Sequence, residues 1–387
     1  MRLAIVTPWY GEDLTGGAER LAWELSHGLQ RAGHNVTVLT TCARSFLDPW
    51  DKNYHSPGTS SLEGVEVARF RVDRINTAAF REINRRLLAT PESRLLPGAP
   101  VLDEHGAAVF ARDNIVSSAL LAELARSGAT YEAIVFLPYL YGTTLRGWQV
   151  VRERAVIVPC LHDEAYAYLE PVATMMRGAP LLLFNSVGEF ELARRIYGPS
   201  IASHSCVVGS GVQPLADAVE TRAPIGNFIP EDSDYIFYLG RQMEGKNIAL
   251  LTEAFRRFRH LEPASPLRLV LAGEGAERTE NALGDVVNLG RIDDAAKARL
   301  LRAMRALAQP SKNESFSRTM IEAWYAGKPV IVHADCVATA GALDATHGGW
   351  QARDVAGWQR VLHVVASTSD ADLREIGSRG TAYAREI

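Results

Sequence analysis

The strongest constraint on how this chain folds is an alternation that begins at its second residue. "RLAIVTP" (2–8) is a short apolar run of buried-strand type, "GAERLAWELSHGLQRAGH" (17–34) repeats Leu21, Leu25 and Leu29 at helical spacing, and "NVTVLTT" (35–41) is again β-branched. Strand, glycine-bearing turn, helix and strand make one βαβ unit. The alternation runs on through "VEVARF" (65–70), "AIVFLP" (133–138), "AVIVPCL" (155–161) and "LLLFNS" (181–186). Strands that are apolar on successive residues belong to a parallel sheet covered by helices on both faces.

Residues 207–234, "VVGSGVQPLADAVETRAPIGNFIPEDSD", interrupt that rhythm with Gly, Pro, Asp and Ser and read as a linker. The pattern then restarts: "YIFYLG" (235–240), the amphipathic "NIALLTEAFRRFRHL" (247–261), "LRLVLAGEG" (267–275), "VVNLG" (286–290), "ALAQPS" (306–311) and "PVIVHA" (329–334). The expected fold is α/β, with two Rossmann-like domains, 1–210 and 211–387, facing each other across a cleft. Ligands of such sheets sit at the carboxyl ends of the strands.

Composition narrows the class. A chain of 387 residues, 47% apolar and 22% charged, can bury its core without disulfides or metals. A net charge of −4 points away from nucleic acid as a partner. Cys42, Cys160, Cys206 and Cys336 are scattered and form no Cys-x-x-Cys, so neither a zinc site nor a disulfide framework is expected, and a reducing cytoplasm is. The N-terminal "MRLAIVTPWYGEDLTGG" reads as a first strand rather than a signal peptide. No run reaches the roughly 18 apolar residues of a membrane span.

Four constellations carry candidate chemistry. In "TGGAER" (Thr15 to Arg20), Gly16 and Gly17 precede a helix, so backbone N–H groups can approach a phosphate; a tight turn with Glu19 as a favourable first-turn acid accounts for the same residues. In "GRQMEGKN", Arg241 and Lys246 follow a strand end, where two cations suit a diphosphate, Arg forking two oxygens and Lys adding a point charge. In "PSKNESFSRTMIEAWYAGKPVI" (310–331), Glu314 lies on a loop and Glu322 about two turns into the following helix. That helix is expected to start near Ser315–Ser317 and run to Ala326, with Gly327 at its end. Ser315, Phe316 and Ser317 can offer backbone amides, and a carboxylate accepts two hydroxyls of a sugar or ribose. The competing account is a cap acid and a wet face, but Ile321, Ala323 and Ala326 imply a buried helix in which Glu322 needs a partner. Finally, His162 in "CLHDEAY" follows a strand; a lone histidine is more often structural, yet this one stands at a carboxyl end. No metal site is expected: "DSD" (232–234) and "DAD" (370–372) are explained by capping or solvation.

"GGAER", "GRQMEGKN", "LAGEG", "NLGRI" and "PSKNESFSRTMIEAWYAGKPVI", in that order, resemble the retaining, GT-B-fold glycosyltransferases of glycosyltransferase family 4. The resemblance spans essentially the whole chain and is strongest from 235 to 334. It implies transfer of a hexose from a nucleotide diphosphate sugar to a glycan, lipid-linked or small-molecule acceptor, without a metal or other cofactor, in bacterial polysaccharide or glycoconjugate assembly. Gly16 and Gly17 would then lie against the donor, Arg241 and Lys246 would neutralise the leaving diphosphate, and Glu314 with the amides of Ser315 to Ser317 would hold the hexose. Glu322 would hold the ribose, Gly290 and Arg291 of "NLGRI" would border the base, and His162 would stand near the reacting sugar. The leaving phosphate itself would take the acceptor proton. Two other classes share the architecture: a sugar-nucleotide epimerase or phosphorylase, and a degenerate nucleotide-sugar-binding subunit.

The chain departs from the family pattern in places. Ser210-Gly211-Val212-Gln213 replaces Asn-Gly-Val-Asp near the hinge, "DCVATAGALDATHGG" replaces a glycine pair and glutamate, and Arg318 replaces a small or apolar residue, which points to an unusual, anionic sugar. The usual last helix, crossing back to the first domain, does not follow "AYAREI", so the expectation is a truncated chain or one module of a longer protein. On the acceptor side, Arg69, Arg71, Arg74, Arg81, Arg85 and Arg86 within 68–89 suit peripheral docking to anionic lipid, or else a surface helix packed through Phe80, Ile83 and Leu87. Tyr139 and Tyr141 at a strand end suit either sugar stacking or packing.

Overall fold

The computed structural model describes residues 1–14, 16–213, 233–275, 279–280 and 284–386. Thr15 of the first glycine turn, and residues 214–232 of the linker together with Asp232 of "DSD", lie outside the described residues. The chain divides into two compact units, Met1–Gly209 and Ser210–Ile387.

The first unit is an eight-stranded sheet: β1 (Arg2–Val6), β2 (Asn35–Thr41), β3 (Gly58–Leu62), β4 (Val65–Phe70), β5 (Ala133–Phe136), β6 (Ala155–Ile157), β7 (Leu181–Phe184) and β8 (Ser205–Val207). Its order is β3-β4-β2-β1-β5-β6-β7-β8, parallel except for β3, which pairs antiparallel with β4. The second unit has seven strands: β9 (Tyr235–Leu239), β10 (Arg268–Ala272), β11 (Thr279–Glu280), β12 (Val286–Asn288), β13 (Ala306–Gln309), β14 (Val330–His333) and β15 (Gly349–Ala352). Its order is β11-β12-β10-β9-β13-β14-β15, with β11 alone antiparallel.

Both sheets are covered on two faces, which is why their strands are apolar on successive residues. In β9, Tyr235 and Phe237 enter one core while Ile236 and Tyr238 enter the other. In β1, Ala4 and Val6 point to one core and Ile5 to its opposite. The short edge strands β3 and β11 carry no such signature, since "GTSSL" is exposed or half-buried. The supposed linker also begins too early, because Val207 closes β8 against Phe184.

In each sheet the first strand is central, and the chain builds outward on one side before returning to the other. β1 lies between β2 and β5, and β9 lies between β10 and β13. At that reversal, neighbouring loops diverge and leave room above the strand ends.

The last helix, Asp370–Glu386, locks the helix Arg318–Tyr325 by direct contact. A Cβ on Gly377 would stand 2.2 Å from the Gly327 carbonyl oxygen, and one on Gly380 would stand 2.2 Å from the Trp324 ring. Thr381 Oγ1 donates to Trp324 O at 2.5 Å, and Tyr325 OH donates to Ala384 O at 2.7 Å.

Candidate functional site

The reversal in the second unit brings together residues far apart in sequence. Lys246 is on the loop after β9 and Glu314 on the loop after β13; their Nζ and Oε1 lie 2.6 Å apart. Both side chains are largely shielded, so the pair feels less screening than a surface bridge. Asn247, left-handed at φ 56°, donates from Nδ2 to Pro310 O at 3.2 Å and ties the loops a second time.

The same rim is lined by glycines in close approach. Gly273 has φ 133°, and a Cβ there would stand 1.9 Å from Gly240 O, so no larger residue fits. Gly273 N donates to Gly290 O at 2.8 Å, and Gly290 N donates to Asn288 Oδ1 at 3.0 Å. The amides of Gln242 and Asn288 exchange hydrogen bonds at 2.8 and 2.7 Å. Three strand ends thus form one backbone-lined shelf that includes Gly290, with the Arg291 side chain exposed just beyond it. Arg241 is half-buried on this shelf, and its carbonyl accepts from Tyr238 OH at 2.8 Å. Burial, reinforced by Glu314 and opposed by Arg241, pushes the Tyr238 phenol well up, so it stays a neutral donor.

The helix expected from Ser315–Ser317 begins at Arg318, with Ser317 as its N-cap at φ 67°, ψ 81°. No side chain caps it; instead Gln309 Nε2 donates to Ser317 Oγ at 3.2 Å. Phe316 is buried in the core, which leaves only its backbone for a ligand, while Ser315 is half-buried. Glu322 is 9% exposed, and its partner is one that sequence reasoning missed: Lys297 Nζ at 3.1 Å from Oε1. Burial works against the Lys297 charge, but Glu322 and Asp294 outweigh it, and the ammonium's pKa ends above its ordinary value. The two glutamates are therefore each matched to a lysine. Arg318 reaches back, Nη1 at 3.5 Å from both Ser210 O and Gly211 O.

The first unit behaves differently. Gly16 caps the helix Gly17–Arg31, but Glu19 folds back over it: a Cβ on Gly16 would stand 1.9 Å from Glu19 Oε2. Glu19 Oε1 accepts from Trp9 Nε1 at 2.9 Å. A carboxylate thus stands at the helix end where an anion would bind. His162 is half-buried, its Nδ1 3.4 Å from Glu164 Oε1, which also accepts from Tyr139 OH at 3.0 Å. Tyr139 and Tyr141 are both buried, so packing rather than sugar stacking accounts for them.

Glu189 was also missed. It is 1% exposed, and its Oε1 accepts from Leu161 N at 2.5 Å while Oε2 accepts from Asn185 N at 2.6 Å. The available signal was "SVGE" (186–189), a Ser-x-x-Glu capping box before a helix. Ser186 Oγ does accept from Glu189 N at 3.0 Å, but the carboxylate leaves the box and crosses to the neighbouring strand end.

Of the arginines in 68–89, Arg69 is held inside by Nη2 donating to Tyr10 O at 2.7 Å, which removes it from any docking face. Phe80, Ile83 and Leu87 are buried, while Arg71, Arg74 and Arg81 are exposed. Arg85 pairs with Glu82 and Arg86 with Asp103. Among the described residues no helix is long and apolar enough to cross a membrane, and no group of three His, Cys, Asp or Glu is placed to hold a metal. Asp234 and Asp370 pair with Arg305, and Asp372 accepts from Ser369.

Comparison with known proteins decides the family. Residues 220–348 match the family described as glycosyl transferases group 1. The chain is 30% identical over 344 residues to a phosphatidyl-myo-inositol mannosyltransferase of Mycolicibacterium smegmatis, covering 86% of this chain and 75% of that protein. This chain belongs to the group 1 glycosyltransferases. A second member-like relative, glycogen synthase of Mycobacterium tuberculosis, is 24% identical over 86% of this chain and 77% of its own length. In fold, this glycosyltransferase is similar to sucrose-phosphate synthase from Thermosynechococcus elongatus, with a TM-score of 0.68 at 18% identity, covering 100% of this chain and 94% of the other. Its two parallel-sheet Rossmann-like domains are those of the GT-B architecture.

Proposed function

We propose that this group 1 glycosyltransferase is a retaining, metal-independent hexosyltransferase of family 4, using a nucleotide diphosphate sugar and acting in bacterial polysaccharide or glycoconjugate synthesis. The observation that carries this reading is the Lys246–Glu314 pair at the β9/β13 reversal, beside the glycine shelf. Residues 211–387 form the donor domain and 1–210 the acceptor-side domain. Arg241 and Lys246 meet the charge that develops on the leaving diphosphate. Glu314, held 2.6 Å from the Lys246 ammonium, accepts from hexose hydroxyls, with the amides of Ser315, Phe316 and Ser317 beside it. Glu322 has Oε1 on Lys297 and Oε2 for the ribose, while Gly290 and Arg291 border the base. His162 stands near the reacting sugar, and Gly16 and Gly17 lie against the donor. The names of the relatives, a mannosyltransferase and a glycogen synthase, support hexose transfer to a lipid-linked or glycan acceptor.

The test is transfer by Arg241→Ala and Lys246→Ala, with donors first found by thermal shift across UDP-, GDP-, ADP- and dTDP-sugars, since a ligand of the folded state raises apparent stability. Both variants are expected to fold and lose turnover; near-normal rates in either sink the reading. Transfer is expected to persist in excess chelator. For 68–89, contact with an anionic membrane rests on the exposed Arg71, Arg74 and Arg81; liposome co-sedimentation unchanged by their replacement with glutamate removes it.

The position of Glu19 over Gly16 favours one second reading, a nucleotide-sugar-binding subunit without turnover. Donor binding with no transfer or hydrolysis, restored by Glu19→Ala, would identify it.

A further inference from the structure

The chain turns sharply between β6 and His162, and the turn is unusually placed. Cys160 is left-handed at φ 54°, a conformation unfavourable for a residue with a side chain. Such a turn persists only if its neighbours hold it. Two do. Leu161 N donates to Glu189 Oε1 at 2.5 Å, and Asn185 Nδ2 approaches Cys160 Sγ at 3.7 Å. Glu189 Oε2 accepts both Asn185 N at 2.6 Å and Asn185 Nδ2 at 3.1 Å. One buried carboxylate therefore receives three N–H groups and joins the ends of β6 and β7. The next residue after Leu161 is His162, whose ring is turned by Glu164.

We propose that Glu189 is a positioning residue: its carboxylate holds the Cys160–Leu161 turn and thereby sets where the His162 imidazole stands. The proposal rests on the role read above for His162. An ionised carboxylate suits the task because both oxygens must accept. A glutamine has one oxygen and one NH2, so one of the two backbone N–H groups would face a donor. The titratable groups facing Glu189 come from the β6 end: Cys160, whose thiol burial and Glu189 push up, and His162, whose charge favours the ionised form. From the β7 end come the Asn185 backbone N–H and its side-chain amide, neither of which titrates. Burial raises the Glu189 carboxyl to about 7, against which the N–H donors and His162 pull. The grip on the turn is therefore pH-dependent in the neutral range.

The experiment is histidine side-chain NMR on the full chain between about pH 5.5 and 9, comparing the unmodified protein, Glu189→Gln and Glu189→Asp. At pH 8 Glu189→Gln is expected to displace the His162 ring signals from their positions in the unmodified protein, and the difference is expected to shrink toward pH 5.5, where both proteins carry an uncharged side chain at 189. Glu189→Asp keeps the charge but is one methylene short, so it should displace the signals at pH 8 as well. It also decides the matter should the glutamine variant not unfold cooperatively. His162 signals identical in all three proteins overturn the proposal. With UDP-glucose and GDP-mannose as donor probes, Glu189→Gln should lower kcat about tenfold at pH 8 with donor KM unchanged; an unchanged kcat counts against it. Normal turnover in His162→Ala instead sinks the role read for His162, and the NMR comparison then judges Glu189 alone.

Discussion

The two units place the same topological feature to opposite use. At the β1/β5 reversal of the first unit, loops bring rings together: Trp9 lies 5.0 Å from Tyr141, 5.7 Å from Trp50 and 6.2 Å from Phe46, centroid to centroid, and is 2% exposed. At the β9/β13 reversal of the second, the loops carry a lysine, a glutamate and a glycine shelf. Doubly wound topology opens a space above the strand ends, but it does not say what fills it. Aromatic filling converts the space into core and gains burial energy. Charged filling keeps polar capacity, which a ligand can use.

This contrast can be broken by substitution. Trp9→Ala is expected to cost about 4 kcal/mol of unfolding free energy, read by denaturant titration, because a large buried ring leaves a cavity and Glu19 loses its donor. Donor affinity should hardly change. Lys246→Ala should do the reverse, lowering turnover about a hundredfold or more, equivalent to roughly 3 kcal/mol of transition-state stabilisation. Its midpoint of unfolding should move far less than that of Trp9→Ala. If Trp9→Ala abolishes donor binding while remaining folded, the first reversal is functional after all.

A smaller effect sharpens the same comparison through pH. The Glu189 carboxyl rises from an ordinary 4.5 to about 7 in the folded chain. Between those values the folded chain keeps a proton that the unfolded chain has released, so this group's stabilising contribution is full below about 4.5 and is lost as pH rises through 7. The loss is on the order of 3 kcal/mol. Glu189→Gln should flatten that slope in thermal unfolding measured from pH 5 to 8; an unchanged slope would place the titration elsewhere. The smallest expected effect is Ser317→Gly, where relief of left-handed strain is offset by loss of the acceptor for Gln309 Nε2, so the denaturation midpoint should shift by the equivalent of less than about 1 kcal/mol.

Much of the architecture was legible because it rests on local periodicity. The strand "VEVARF" coincides with β4, and "NVTVLTT" with β2. The exposed edge strand β3 was not legible, since a strand with no buried face has no pattern to read, and two-residue β11 is too short to show one. Around the candidate site, the apolar spacing of Ile321, Ala323 and Ala326 correctly implied that Glu322 is buried and needs a partner, but nothing local named Lys297. The capping-box signature of Glu189 was visible, yet it predicts a bond within its own helix end, and the carboxylate is used elsewhere. Glu19 shows the converse, since the acid read as a first-turn favourable charge folds back over Gly16.

The sequence by itself determined two runs of alternating strand and helix, because side-chain spacing of two or three to four residues is decided by the residues themselves. It also placed glycines and charged residues at strand ends. Only the tertiary structure decided who meets whom: Lys246 with Glu314 across 68 positions, Glu189 with Leu161 across 28, and Lys297 with Glu322 across 25. Those pairings depend on strand order and on which loops diverge, and both are properties of the assembled sheet rather than of any segment within it.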